Sequence, residues 1–332
     1  MTDGRKARRV EESVAATQRS AQRFSAIHVH IAPLRHPSRA THNSSTRHPA
    51  LTALIAAAAL LLLALGAPIP VAASGTAHFM STTGNDAWTG TGSHPWRTLY
   101  ASLRKLHPGD TLYIRGGTYG FSGVNWTSLA GTSTHHITIT AYRTERPVFV
   151  GSGAPADWLY FDGNAAYLTF HGITVEGGGP VSTTLGSSLI GFTGNANHIV
   201  LDHMRLYGSG SWGLDQHLVY VAANTVHSLT IRYSVFDGGG CICSGLLSFY
   251  HDPNVRTITV THNTFRNADQ AILLWAAAAG VRITYNTFSH TRIAIRHHNS
   301  LGTTVAYNRG TSVSIGVYAD SRLHLSVSGN SW

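Results

Sequence analysis

The sequence feature that most constrains the fold is a repeat that runs through the second half of the chain. Seven segments follow the pattern apolar-x-apolar-x-x-anchor-x-apolar, and in one of them Ile258, Val260, Asn263 and Phe265 fill the four positions. The anchors are Ile173, Met204, Ser234, Asn263, Asn286, Asn308 and Asn330. Successive anchors lie 31, 30, 29, 23, 22 and 22 residues apart. A period of roughly 20–50 residues indicates a solenoid.

Each repeat unit is predicted to be built from strands. The runs are short, alternate with period two, are rich in Ile, Val, Thr and Phe, and end in Gly, Asn or Ser. No long amphipathic helix lies between them, so each strand is expected to pair with its counterpart one repeat later. The result is a coil of parallel strands stacked about 4.8 Å apart. The Asn anchors then share one column, which we interpret as structural because each amide can bond to the next coil.

Residues 78–119 are predicted to begin the coil. A strand is expected at 78–81, a turn at 83–86, a short helix over Leu99–Leu106 with Thr98 as N-cap, and a strand over Thr111–Ile114. A solenoid needs such a segment to cover its open end.

A family resemblance becomes specific in this region. The N-terminal segment of bacterial right-handed β-helix proteins of the pectate-lyase-like superfamily is similar to the stretch FMSTTGNDAWTGTGSHPWRTLYASLRKLHPGDTLYIRGGTY, and their frequent His-Gly-Ile-Tyr strand resembles residues 215–221, with Leu218 where Gly is usual. The resemblance implies an all-β fold: a single-stranded right-handed parallel β-helix (solenoid) with a short N-terminal capping helix. That superfamily includes polysaccharide lyases, glycoside hydrolases, uronan epimerases and proteins without known activity.

The N-terminal part of the chain is predicted to direct export. Residues 1–50 carry nine Lys or Arg against three acids, and the uncharged run Leu51–Ala67 follows. We divide the chain into a basic leader at 1–50, a signal-peptide h-region or membrane anchor at 51–73, and a β-helix domain at 77–332. Both interpretations of residues 51–73 place the β-helix outside the cytoplasm, secreted or anchored, and the only membrane contact expected is through this segment.

The basic charge and the two cysteines exclude some functions. The formal charge is +9, but residues 51–332 hold only fifteen Lys or Arg against twelve acids, so the high pI does not indicate a nucleic-acid partner. Cys241 and Cys243 form a C-x-C that we interpret as two small buried side chains at a tight turn. Two ligands alone do not make a metal site.

The first candidate site is a column of outward-facing residues on neighbouring strands. It contains Tyr250, Trp275, Arg296 and Tyr318, and the polar residues His251, Asp252 and His297 stand beside it. Aromatic rings can stack on sugars and Arg can pair with carboxylates. An ordinary β-face with cross-strand stacking is the alternative.

The second candidate site lies one coil earlier. Asp215 stands two residues from His217, on the same face of a strand, where it could orient the imidazole, and Tyr220 follows. A polar loop entering a strand is the alternative.

The types of side chain present limit the reaction mechanisms that are possible. Lys105 is the one lysine in residues 77–332, and it falls in the predicted capping helix. A Lys base is therefore not expected, whereas Arg-, His- or Tyr-assisted β-elimination and carboxylate-pair hydrolysis stay open. No cofactor or metal ligand is indicated. Calcium is compatible with the sequence but would need clustered carboxylates, and the acids are spread along the coil.

The sequence thus predicts an extracellular carbohydrate-active protein, a lyase or hydrolase that acts on an acidic polysaccharide. The alternative is a non-catalytic cell-surface β-helix that binds glycan or protein. The last coil ends at Trp332 without a covering segment, so we also expect this coil either to be loosely ordered or to pair with another chain.

Overall fold

The computed structural model describes residues 75–177, 187–209, 216–222, 225–243, 245–250, 255–275, 280–320 and 324–332. The predicted leader at 1–50 and the apolar segment at 51–73 lie outside this set. Within it, no helix is both long enough and apolar enough to cross a membrane.

The described residues form one short helix and twenty strands that join in a single sheet. The helix, α1, spans Leu99–Leu103. The strands are β1 Ala77–Met80, β2 Thr111–Ile114, β3 Gly117–Ala130, β4 Ile137–Ala141, β5 Pro147–His171, β6 Thr174–Glu176, β7 Ser187–Phe192, β8 Asn195–Asp202, β9 Arg205–Tyr207, β10 Gln216–Val221, β11 Thr225–Arg232, β12 Val235–Cys241, β13 Leu247–Tyr250, β14 Val255–Thr261, β15 Thr264–Trp275, β16 Val281–Thr284, β17 Thr287–His298, β18 Thr303–Ala306, β19 Arg309–Ala319 and β20 Leu325–Ser328.

Every pairing between these strands is parallel and joins one coil to the next. The register follows the repeat: Ile231 of β11 pairs with Val260 of β14, which pairs with Ile283 of β16. The predicted all-β parallel β-helix is therefore confirmed.

The core is a set of side-chain columns that run along the axis of the coil. The rings of Phe236, Phe265 and Phe288 stack with centroids 4.6 and 5.3 Å apart, and all three are fully buried. Phe161 and Phe192 stack in the same way at 5.1 Å. One apolar side chain per strand position therefore packs on its equivalent in the next coil, which is why the repeat is visible in the sequence.

The Asn anchors form the predicted ladder. The Oδ1 atom of Asn286 accepts from the backbone amide and the Nδ2 atom of Asn263, at 2.9 and 3.0 Å, and the same pair of bonds recurs from Asn286 to Asn308 and from Asn308 to Asn330. Each Nδ2 also donates to a strand carbonyl, as Asn286 does to Val260. The column of buried amides is thus hydrogen-bonded along its length and is structural.

The residue before each anchor adopts a left-handed conformation. His203, Tyr233, His262, Tyr285 and Tyr307 have φ between 51 and 57°, a region that non-glycine residues rarely enter. Their rings stack along the outside of the coil at 5.1–5.2 Å. We call this column the turn stack. Contact between successive rings helps to offset the cost of the backbone conformation.

The helix α1 is shorter than the predicted Leu99–Leu106. It begins as expected, because the hydroxyl of Thr98 accepts from the backbone amide of Ala101. It ends at Leu103 because the amides of Lys105 and Leu106 bond to carbonyls three residues back, which tightens the chain into a turn.

The interpretation of Cys241 and Cys243 as two small buried side chains at a tight turn is only partly correct. Both side chains are buried, as expected, but they are joined in a disulfide bond.

Candidate functional site

A concave corner forms where two consecutive residues of a strand both point into the coil. Leu218 and Val219 of β10 are each fully buried in the core. The residues on either side, His217 and Tyr220, are consequently turned to the other face and converge, with ring centroids 5.1 Å apart and planes 16° from parallel. Trp158 and Leu159 repeat this arrangement in β5, since both are buried in the same core.

The floor of this corner is a polar column formed by Asp157, Ser188 and His217 on successive coils, which we call the corner column. Ser188 pairs in register with His217, and its backbone amide donates to Oδ1 of Asp157 at 2.9 Å. These three residues are only 3, 1 and 2% exposed. Burial raises the pKa of Asp157 to about 6, although the bond from Ser188 opposes the shift. The corner thus holds a carboxyl group that keeps its proton to a higher pH than an exposed aspartate does.

The tautomer of His217 follows from its hydrogen bonds. Its Nδ1 atom lies 2.9 Å from the carbonyl oxygen of Gly245 and 2.9 Å from the hydroxyl of Ser248. Because a carbonyl only accepts, Nδ1 must carry the proton, and the neutral ring then has its lone pair on Nε2. These two contacts hold the ring in one orientation.

Aromatic rings extend from the corner along the outside of the coil. Tyr220, Tyr250, Trp275 and His298 lie on successive coils, with centroids 5.7, 6.1 and 3.9 Å apart, and we call them the outer row. Each is partly exposed. Nδ1 of His298 is hydrogen-bonded to the carboxylate of Asp320, and the pKa of Asp320 is held below its usual range mainly by this bond.

A cation lies beside the outer row. The guanidinium carbon of Arg296 is 5.6 Å from the centroid of Trp275 and 5.8 Å from that of Tyr318. Such a contact holds the guanidinium between two rings, close to where a ligand stacked on Trp275 would lie. The outer row therefore offers both a stacking surface and a positive charge.

The predicted column Tyr250, Trp275, Arg296, Tyr318 is wrong in its register. Trp275 pairs with His298, whereas Arg296 pairs with Leu273 and Tyr318, so the four residues belong to two adjacent columns. A shift of two residues keeps every side chain on its face, so alternation alone cannot detect it. The spacing from the Asn ladder could have detected the shift, because Leu273, Arg296 and Tyr318 each stand ten residues after an anchor.

The predicted position of His297 beside this column is also wrong. His297 is fully buried and pairs with Leu274 in a column that faces the core. The one-residue step from Arg296 places the two side chains on opposite faces of the strand. Asp215, His251 and Asp252, three other predicted site residues, lie outside the described residues.

The structure brings the two predicted sites together. His217 and Tyr220 of the second candidate meet Tyr250 of the first, whose ring lies 5.9 Å from His217 and 5.7 Å from Tyr220. Sequence reasoning missed Asp157 and Ser248. Asp157 stands three residues before Tyr160, just as His217 stands three before Tyr220, and this shared spacing was the available signal.

Comparisons with known proteins agree with this architecture. Residues 78–239 match the family model described as Pel9A-like, right-handed β-helix region. No curated protein matches the sequence significantly.

Similar solved structures include a lacto-N-biosidase of family GH136 from Eubacterium ramulus, which is 14% identical with a TM-score of 0.47, over 71% of this chain and 56% of that one. A rhamnogalacturonan lyase is 15% identical with a TM-score of 0.44, and the match covers 78% of this chain and 62% of the lyase. The alginate lyase AlyGC of family PL6 is 14% identical with a TM-score of 0.48, and the match covers 78% of this chain and 40% of AlyGC. The chain thus spans less than two thirds of each of these proteins. With the parallel coil and the family match together, the chain is a right-handed parallel β-helix protein whose residues 78–239 are similar to the Pel9A-like family.

Proposed function

We propose that this protein is an extracellular lyase that cleaves an acidic polysaccharide by β-elimination at the concave corner. The observation that carries the proposal is His217, which is fixed in the corner with Nδ1 bonded to the Gly245 carbonyl and its ring stacked on Tyr220. The match of residues 78–239 to a Pel9A-like β-helix region supports a polysaccharide as the substrate class.

The reaction assigns one proton transfer to each of two side chains. Nε2 of His217 removes the proton from the sugar carbon next to the carboxylate, and the electron pair of that bond forms the new carbon–carbon double bond. The bond from the neighbouring carbon to the bridging oxygen breaks, and the phenol of Tyr220 supplies a proton to that oxygen. The product carries one unsaturated ring for each bond cleaved.

The outer row positions the chain of sugars. Parallel strands stack about 4.8 Å apart, which is close to the length of one hexose, so the polymer can lie along the axis with rings against Tyr250 and Trp275. Arg296 lies three coils beyond His217, so it would bind the carboxylate of a sugar further along the polymer rather than that of the reacting sugar. This arrangement favours a polyuronate over a neutral polymer.

The experiment that tests the proposal is a panel of polyuronates and neutral polysaccharides, with and without added calcium. Absorbance of unsaturated product reports elimination, and reducing ends without that absorbance report hydrolysis. We expect elimination on at least one polyuronate. Reducing ends alone would replace the lyase by a hydrolase.

A non-catalytic glycan-binding protein is the second candidate. It is favoured by the outer row itself, because stacked rings with one nearby cation are sufficient for binding. Binding to a polyuronate without any cleavage would establish this alternative.

We further propose that residues 77–332 act outside the cytoplasm, either released after cleavage of the segment at 51–73 or anchored by it. The basic leader and the uncharged run Leu51–Ala67 support this. A fusion reporter placed after Ala77 should be active only outside the cytoplasm, and cytoplasmic activity would contradict the proposal.

A further inference from the structure

Two histidines and one aspartate meet on the outside of the coil, away from the concave corner. His171 ends β5 and pairs in register with Asp202, which ends β8, and His203 follows at the left-handed turn. Their nitrogen and oxygen donor atoms all lie within 4.8 Å of one another.

The distances between the donor atoms suit a shared ion. Nδ1 of His203 is 2.6 Å from Oδ1 of Asp202, and Nδ1 of His171 is 3.5 Å from Oδ2 of the same carboxylate. Donors around a tetrahedral zinc ion, at bond lengths of about 2.0–2.1 Å, are about 3.4 Å apart. The three donor atoms therefore lie close enough together to share one ion.

The left-handed backbone of His203 is part of this arrangement. The equivalent residue one coil earlier is Gly172, which adopts φ of 71° without the cost that a side chain brings, whereas His203 has φ of 53°. The conformation turns the imidazole back to the aspartate of its own strand. Its outer face packs on Tyr233 at 5.2 Å, which limits rotation of the ring.

The carboxylate of Asp202 is held in place by hydrogen bonds. The guanidinium of Arg232 bonds to Oδ2 at 3.0 Å and leaves Oδ1 to His203. A donor on the outer oxygen is the usual support of a carboxylate that binds a metal.

We propose that His171, Asp202 and His203 form a binding site for a divalent transition-metal ion, with zinc as the best fit. Two imidazole nitrogens and one carboxylate oxygen are ligands that zinc accepts, and they do not suit calcium, which takes six or more oxygens. The side chains of His171 and His203 are 45 and 56% exposed, so water has room to complete the coordination.

The test uses the full chain, purified in detergent and titrated with Zn²⁺ by calorimetry and with Co²⁺ by visible absorption. The variants are His203→Asn, because Asn tolerates a left-handed turn, and His171→Gln. The control is His262→Asn, which changes another histidine of the turn stack that belongs to no such cluster among the described residues.

We expect the wild type and the His262→Asn control to give the intense visible band of four-coordinate Co²⁺ and the same zinc affinity. Each of the other two variants should lose the band and bind zinc at least about tenfold more weakly. Thermal unfolding without metal verifies that all variants are folded. If the wild type gives no such band, or if His203→Asn and His171→Gln bind as it does, the cluster is only an ion-pair network and the proposal is wrong.

Discussion

The backbone amide of Ser188 donates a hydrogen bond of 2.9 Å to Oδ1 of Asp157, a carboxyl group that is almost completely buried. Burial raises the pKa of Asp157 from 3.8 to about 6. At pH values between 3.8 and about 6, the folded state therefore still binds a proton that the unfolded state has already released. The protein should lose roughly 3 kcal/mol of stability from this group as the pH rises from about 4 to about 6, and the loss should level off above that.

The measurement is the free energy of unfolding at several pH values for the wild type and for Asp157→Asn, which keeps an acceptor for Ser188. The variant should lack this fall in stability. The paired carboxylates Asp202, Asp237 and Asp269 have lowered pKa values, so they lose stability only as the pH falls below about 4, outside this window. Parallel curves for the wild type and the variant would show that Asp157 ionises normally.

The Asn ladder should contribute strongly to stability in its middle. Asn286→Ala leaves the amide and Nδ2 of Asn263 without their acceptor and removes the donor to the carbonyl of Val260. Buried polar groups without partners cost about 1–3 kcal/mol each, so the free energy of unfolding should fall by more than about 2 kcal/mol. Asn330→Ala, at the less buried end of the ladder, should cost less. Equal effects of the two substitutions would contradict a buried, continuous ladder.

Truncation of a buried side chain in the core column of β16 should destabilise the protein strongly. Ile283 is fully buried, so Ile283→Ala should lower the free energy of unfolding by about 2–5 kcal/mol, which chemical denaturation measures. The control is Ile242→Ala, because Ile242 is 69% exposed and its loss should change stability by less than about 0.5 kcal/mol. A cost below about 1 kcal/mol at Ile283 would mean that the core can collapse around the missing side chain.

The fold could be predicted from the sequence because each coil makes the same side-chain contacts as the coil before it. Ile231, Val260 and Ile283 occupy one column, so each reveals the environment of the others, and the Asn anchors mark the same turn in each coil. The disulfide between Cys241 and Cys243 could not be predicted in this way, since it occurs once and depends on the local path of the chain.

The candidate site could be predicted only in part from the sequence. Outward-facing aromatic residues were correctly expected, but the concave corner depends on Leu218 and Val219 both facing the core, which breaks the alternation used to assign faces. His217 therefore reaches Tyr220 although the two are three residues apart. Neither the corner nor the role of Asp157 in it follows from period-two reasoning.

The most direct test of the proposed function is the rate of unsaturated-product formation on the best polyuronate for the wild type, His217→Gln, Tyr220→Phe and the control His262→Asn. His217→Gln removes the base, so its rate should fall at least about 100-fold, and the rate of Tyr220→Phe should also fall because phenylalanine cannot protonate the leaving oxygen. The control should match the wild type, and thermal unfolding verifies that each variant is folded. Wild-type rates in both His217→Gln and Tyr220→Phe would contradict catalysis at the concave corner.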